Sequence, residues 1–215
     1  MIELRPYQED CVRRIREALR RVLRVLLASP TGSGKTVMFA WLSMAVVAHG
    51  SRILILGHRQ EIVDQISDTL QAFEVPHGII APGHAPNAEP VQVAMVLTLA
   101  NRLGHFAGAF DLIIVDEAQH SVASTWTRIL AAFPDAHLLG VTATPERLDG
   151  RPLKDLYGEL VMGPGVAELV TLGFLSPAVN LCGAGNARPL RDPHQARRLR
   201  ADRPGDPHDG RQAHR

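Results

Sequence analysis

Residues Ser29-Pro30-Thr31-Gly32-Ser33-Gly34-Lys35-Thr36 constrain this chain more than any other stretch. An apolar run from Val22 to Ala28, broken only by Arg24, leads into them, and a helix-length run from Val37 to His49 follows. Strand, glycine-rich turn and helix is the context in which a backbone wraps a phosphate. Gly32 and Gly34 carry no Cβ, so successive N–H groups can turn inward towards phosphate oxygens, with Thr31 and Ser33 completing the cradle. A helix opening at about Lys35 adds its positive dipole end beneath them. In that geometry the Lys35 ammonium reaches terminal phosphates and the Thr36 hydroxyl ligates Mg²⁺. Ser29 stands where the general G-x-x-x-x-G-K-[ST] pattern has its first glycine. The competing reading is a turn that only joins strand to helix, and Gly-Lys-Thr at the junction weighs against it.

With 215 residues the chain has room for one α/β domain with appendages and is short for two. A hydrophobic content of 46% supplies a core, and no apolar run approaches the roughly 20 residues that span a bilayer. The start, Met1-Ile2-Glu3-Leu4-Arg5-Pro6, lacks the basic-then-apolar order of a secretory signal. Cys11 and Cys182 have no partners at metal-ligand spacing and make no disulfide framework. The expected compartment is the cytoplasm. From Ala187 onward eight arginines face four aspartates, a balance of +4 in a chain of net charge +1, so residues 1–186 carry −3. The charge of the tail says nothing about what the folded part binds.

Along the chain, Leu4-Arg5-Pro6-Tyr7-Gln8 precedes an expected amphipathic helix with Val12, Ile15, Leu19 and Val22 on one face. The arginines elsewhere on that wheel read as a solvated basic surface. Arg5 and Gln8 sit just ahead of it, and a glutamine amide offers the donor and acceptor that an adenine edge requires. Further strands are expected at Arg52–Gly57, Val91–Met95, Asp111–Val115 and His137–Val141, with a short extended piece at Gly78-Ile79-Ile80. Helices are expected from His58-Arg59-Gln60-Glu61 onward, at Thr98–Leu103 and at Ser124–Phe133. This alternation predicts a mostly parallel sheet covered by helices on both faces, with ligands at the carboxyl ends of the strands. The polar clusters of the sequence lie at those ends.

Asp116-Glu117 after an apolar strand has the context of a Walker-B site. Asp116 is placed to hold Mg²⁺ opposite Thr36, and Glu117 to orient or deprotonate the water that attacks a γ-phosphate. The alternative, an acidic pair capping a helix, loses ground because a phosphate loop lies about 80 residues upstream.

The phosphate loop, Asp116-Glu117-Ala118-Gln119-His120 and Thr142-Ala143-Thr144-Pro145, in that order, resemble the first RecA-like domain of a superfamily 2 helicase of the DEAD/DEAH-related class. Glu146-Arg147-Leu148-Asp149-Gly150 and Gly163-Pro164-Gly165-Val166-Ala167-Glu168-Leu169 are similar to the RadD-like and phage-type DNA helicases. The resemblance runs from about Leu4 to Pro177. It implies an ATP-dependent helicase or translocase with ATP and Mg²⁺ as ligand and cofactor, and DNA rather than RNA as partner. It gives Arg5 and Gln8 the adenine-reading role, with Tyr7 either stacking there or simply packed. Gln119 and His120 take the part of γ-phosphate sensors, and Thr142 and Thr144 that of coupling hydrolysis to domain movement. His58 and Arg59, and Thr98 with Arg102, fall where the family holds the nucleic-acid backbone. Such contacts position without reading sequence.

Helicases of this class close two RecA-like domains over ATP, which needs on the order of 300–400 residues. The expectation is therefore a RecA-like ATP-binding domain over 1–178, a tail over 179–215, and a second RecA-like domain that is missing. Such a chain binds ATP·Mg²⁺, hydrolyses it slowly without an arginine finger and does not unwind. A nucleotide-binding module without turnover, or the motor portion of a restriction system, are the alternatives. From Ala187 on only Ala, Arg, Pro, Leu, Asp, His, Gln and Gly occur, a composition expected to be disordered. It reads either as an out-of-frame translation of G+C-rich DNA or as a basic tail that holds nucleic acid.

Overall fold

The computed structural model describes residues 3–85, 87–106, 108–120, 124–144, 153 and 156–177. Pro145, the Glu146–Gly150 motif, Cys182 and the tail from 178 lie outside the described residues. The chain divides into two units, Met1–Ser176 and Pro177–Arg215, and every element described here belongs to the first.

A single seven-stranded sheet organises that unit. The elements run α1 (Pro6–Leu19), β1 (Arg24–Ala28), α2 (Lys35–Val47), β2 (Ile53–Gly57), α3 (Gln60–Ala72), β3 (His77–Ile80), β4 (Val91–Met95), α4 (Val96–Ala100), β5 (Leu112–Asp116), α5 (Ser124–Ala131), β6 (His137–Thr142), β7 (Glu159–Met162) and α6 (Val166–Thr171). The spatial order is β3-β4-β2-β5-β6-β1-β7, and every pairing is parallel. This is the RecA-like α/β architecture, with helices on both faces.

Strand periodicity builds the two cores. Val25 and Leu27, Ile53 and Ile55, and Ile114 point to one face, where Cys11, Ile15, Phe39, Leu42 and Ile66 of α1, α2 and α3 cover them. Leu26, Leu54, Leu56, Ile113 and Val115 point to the other, against Leu99 of α4 and Trp126 and Ile129 of α5. Burial on both sides explains why β2 and β5 are uninterrupted apolar runs.

Several boundaries differ from the sequence expectation, each for a local reason. Helix α1 begins at Pro6, so Gln8 lies within its first turn and not ahead of it. Proline at the first helical position costs no hydrogen bond, and Gln8 Oε1 accepts from Arg5 N at 2.9 Å, closing the helix start. Helix α4 starts immediately at Val96 and ends at Ala100, followed by a 3-10 turn over Leu103–His105, where one helix over Thr98–Leu103 was expected. Strand β7 was not anticipated. Only Val161 of its four residues is buried, as suits an edge strand.

Candidate functional site at the carboxyl ends of the strands

Strand β1 leaves the sheet at Ala28, and Ser29 N donates to Thr142 O at 3.0 Å, tying the loop to the neighbouring β6. The turn needs Gly32 at φ +82° and Gly34 at φ +75°, a left-handed backbone that side chains disfavour. Gly34 caps α2, so the amino end of a 13-residue helix opens into the loop. Ser29 is a departure from glycine with a visible use. Its buried hydroxyl donates to Ser33 Oγ at 2.8 Å and braces the loop across its width. Room for it comes from the residue just after β7, because a Cβ on Gly163 would stand 2.7 Å from Ser29 Oγ. Two residues of α1 hold the loop from below: Gln8 Nε2 and Tyr7 Oη donate to Ser33 O at 3.1 and 2.8 Å. A side chain on Gly34 would collide with that Gln8 amide.

Lys35 folds back over the loop, with Nζ donating to Ser29 O and Pro30 O at 3.1 Å each. Burial pushes its ammonium below the ordinary lysine range, while the carboxylates of Glu117 and Asp116 pull the other way. The acidic pair is that close because of register. Ala28 pairs with Thr142 and Asp116 with Val141, so the ends of β1 and β5 flank β6, about two strand spacings or ~10 Å apart.

Burial raises the pKa of Asp116 and the charge of Glu117 raises it further, against the Glu117 N–H and Lys35. The linkage has a definite sign. A carboxyl held above its unfolded value takes up protons more readily when folded, so its ionisation costs stability near neutrality. That cost is lifted as pH falls from the raised pKa towards the ordinary aspartate value of 3.8, below which both states are protonated. A cation beside Asp116 removes the same cost.

Glu117 has φ +55°, a left-handed conformation that costs a non-glycine residue about 1–2 kcal/mol. The turn brings Glu117 N to 3.1 Å from Asp116 Oδ1, and Glu117 Oε2 accepts from Gln119 Nε2 at 2.6 Å. Gln119 Oε1 in turn lies 2.8 Å from Thr142 Oγ1, which is also 2.7 Å from Thr144 O and accepts from Thr144 N at 3.0 Å. The single Thr142 proton serves one of the two acceptors at a time. A continuous chain of polar contacts thus joins Glu117 to the segment after β6. His120 closes the 3-10 turn Ala118–His120, and its side chain lies outside the described residues.

Beside the loop, the sequence reading missed Phe174. Its ring lies under the Arg5 guanidinium, 4.6 Å from Cζ to centroid, and 5.2 Å from the Tyr7 ring. The next residue, Leu175, would meet a Cβ on Gly32 at 2.9 Å. The only signal was an aromatic residue after Gly173, whose φ of +74° turns the chain back after α6. Both amide ends of Gln8 are engaged within the protein, to Ser33 O and Arg5 N.

Gly57 pairs with Met95, so His58 and Arg59 after β2 and Thr98 in α4 after β4 follow neighbouring strand ends, and Arg102 lies further along the chain. Arg59 is exposed and caps α3 next to His58 at the end of β2, whereas Thr98 is only 9% exposed. Arg102 lines a cavity with Arg52 and Gln92, residues at the starts of β2 and β4 rather than their ends.

Residues 1–147 match the family described as type III restriction enzyme, res subunit. The chain belongs to that family. Within it, this is the first RecA-like domain of a superfamily 2 helicase. The yeast putative ATP-dependent helicase IRC3 (Saccharomyces cerevisiae) is 34% identical over 197 residues, covering 81% of this chain and 28% of that protein. The DNA 3'-5' translocase XPB2 of Sulfurisphaera tokodaii is 31% identical over 174 residues, 78% of this chain and 37% of its own. This res-family chain therefore spans about a third of the length of such relatives. The crystal structure of the UvsW helicase from bacteriophage T4 superposes with a TM-score of 0.62 at 21% identity, covering 75% of this chain and 60% of that one. At that identity the likeness speaks for the fold. No described helix is long and apolar enough to cross a membrane.

Proposed function

We propose that this domain binds ATP·Mg²⁺ between the phosphate loop and the Asp116-Glu117 pair, as one half of a motor that moves on nucleic acid. The observation that carries the reading is the register that sets the loop bearing Lys35 and the Asp116-Glu117 pair at strand ends flanking β6, within electrostatic reach of one another. An ammonium and two carboxylates, all partly desolvated, suit a ligand that brings both phosphates and a cation. Thr36 and Asp116 are the residues to hold Mg²⁺, which when bound offsets charge on the terminal phosphates.

In hydrolysis, Glu117 accepts a proton from the water whose oxygen attacks the γ-phosphorus, and the bond to the β-phosphate oxygen breaks to give ADP and phosphate. Gln119 fixes the Glu117 carboxylate. Because Gln119 also meets Thr142, the state of the γ-phosphate reaches Thr144 and the segment beyond it. Arg5, with the Phe174 ring against its guanidinium, and Gln8, which braces the loop through Ser33 O, form the base side, where Phe174 offers adenine an aromatic edge. His58, Arg59 and Thr98 serve the nucleic-acid backbone, and we favour DNA because XPB2 is named as a DNA translocase. The working boundaries remain 1–178 for the motor domain and 179–215 for the tail.

A closed site takes its remaining cationic group from a second RecA-like domain, worth roughly 10³–10⁵ in turnover where an arginine finger acts. The 215-residue chain is accordingly expected to bind ATP·Mg²⁺, to hydrolyse it slowly and not to unwind duplex. Steady-state phosphate release with and without single-stranded DNA and RNA tests this. Brisk, DNA-stimulated turnover together with strand separation by this chain alone would overturn it. The family description favours a second reading, the motor of a restriction system, through the same site.

A further inference from the structure

A cavity of about 530 Å³ lies beyond the nucleotide site, between the β3–β4 connection and the turn that follows α4. Arg52 precedes β2 and Gln92 is the second residue of β4, so the cavity opens near the amino ends of those strands. The phosphate loop stands at the carboxyl ends. Its charged lining is two arginines, Arg52 and Arg102, joined by the imidazoles of His84 and His105, with no carboxylate among the described lining residues. Among the described residues neither arginine forms a salt bridge, and Arg52 Nε is buried with no acceptor. Asp111 accepts from the Arg52 backbone N at 2.7 Å and forms no salt bridge with its guanidinium.

The Arg52 guanidinium lies over the Phe110 ring, 5.9 Å from Cζ to centroid, a contact that leaves its terminal N–H groups to gain from a charge-assisted acceptor. Two guanidinium groups facing one space offer forked, charge-assisted donors of the kind that suit a phosphate. The rest of the wall is apolar or rigid. Ile79, Ile80 and Phe106 supply a flat hydrophobic surface. The buried Gln92 is fixed by donation from Nε2 to Asn87 Oδ1 at 2.8 Å and Glu89 O at 2.9 Å. The volume falls in the range of small-molecule sites, roughly 300–1,000 Å³.

We infer that this cavity is a second ligand site, for a phosphomonoester with a flat apolar body, of the mononucleotide class. Arg52 and Arg102 take the phosphate and Phe106 with Ile79 takes the body. Two guanidinium groups supply more positive charge than a single carboxylate would balance, which favours the phosphate. This site stands apart from the proposed ATP site, and either can fail alone.

The test follows the imidazole resonances of His84 and His105 in the full chain by NMR, assigned with H84N and H105N, during titration with AMP. Saturable shifts at both histidines are expected, with inorganic phosphate or adenosine alone binding at least about tenfold more weakly. Arg102→Gln is expected to weaken the AMP response about tenfold or more while the remaining spectrum stays folded, and Arg52→Gln to do the same. AMP that leaves both signals unmoved, or titrates wild type and R102Q alike, overturns the assignment. So does an oligonucleotide that shifts them where AMP does not. AMP captured by the phosphate loop would shift resonances elsewhere and leave this pair unchanged.

Discussion

Replacing Lys35 with alanine is expected to weaken ATP·Mg²⁺ binding by about 10²-fold, or ~3 kcal/mol, in isothermal titration, with the fold intact. The magnitude follows from where the ammonium sits. In the free domain it is held by two carbonyl oxygens, Ser29 O and Pro30 O at 3.1 Å, and burial depresses its pKa. Carbonyls are weak partners for a desolvated ammonium, and a triphosphate is a far stronger one. The Lys35→Ala variant loses the exchange of one for the other. The two carbonyls sit in a part-buried loop and can be solvated once the lysine is gone, so melting temperature should change little. Equal ATP affinities for wild type and variant would mean that Lys35 holds the loop and nothing else.

Glu117→Gln is expected to separate chemistry from binding. Hydrolysis should fall by about 10²–10⁴-fold, the range for loss of a general base, while ATP affinity stays within a few fold of wild type. The substitution is mild structurally. A glutamine oxygen still accepts from Gln119 Nε2, and the φ +55° backbone is no harder for Gln than for Glu. The Gln119–Thr142 contact therefore survives, and any loss is chargeable to the missing carboxylate. Single-turnover measurements suit this variant, since slow product release would otherwise mask the chemical step. A variant that hydrolyses at the wild-type rate would remove Glu117 from the proton transfer.

How much of this was written in the sequence depends on how local each signal is. The phosphate loop was legible because left-handed turns demand glycine, and Gly32 and Gly34 meet that demand in place. Strands β2, β5 and β6 were legible because burial on both faces leaves apolar runs, and β4 because Val91, Val93 and Ala94 keep that pattern around Gln92. Strand β7 carried no such mark: an edge strand buries one side and tolerates exposed Leu160 and Met162. The Arg5–Phe174 pair joins positions 169 residues apart, and nothing in either neighbourhood announces the other. Gln8 was singled out for its amide, yet proline at the first helical position moved the helix start forward and gave that amide to Ser33 and Arg5. Arg102 shows how little motif order says about what a side chain lines. It was placed by motif order as a phosphate contact, and it lines a cavity with Arg52, two residues beyond the end of the short helix α4.

The account depends on the loop after β1 and the acids after β5 serving one magnesium-bound triphosphate. A double-mutant cycle on the Mg²⁺-dependent part of ATP affinity tests this most directly, using Thr36→Ala, Asp116→Asn and the pair, each titrated with and without Mg²⁺. If both residues serve one ion, the second substitution should cost little once the first is made, with a coupling of about 1 kcal/mol or more. Losses that simply add, to within about 0.5 kcal/mol, would assign the two residues to separate tasks and contradict the shared site.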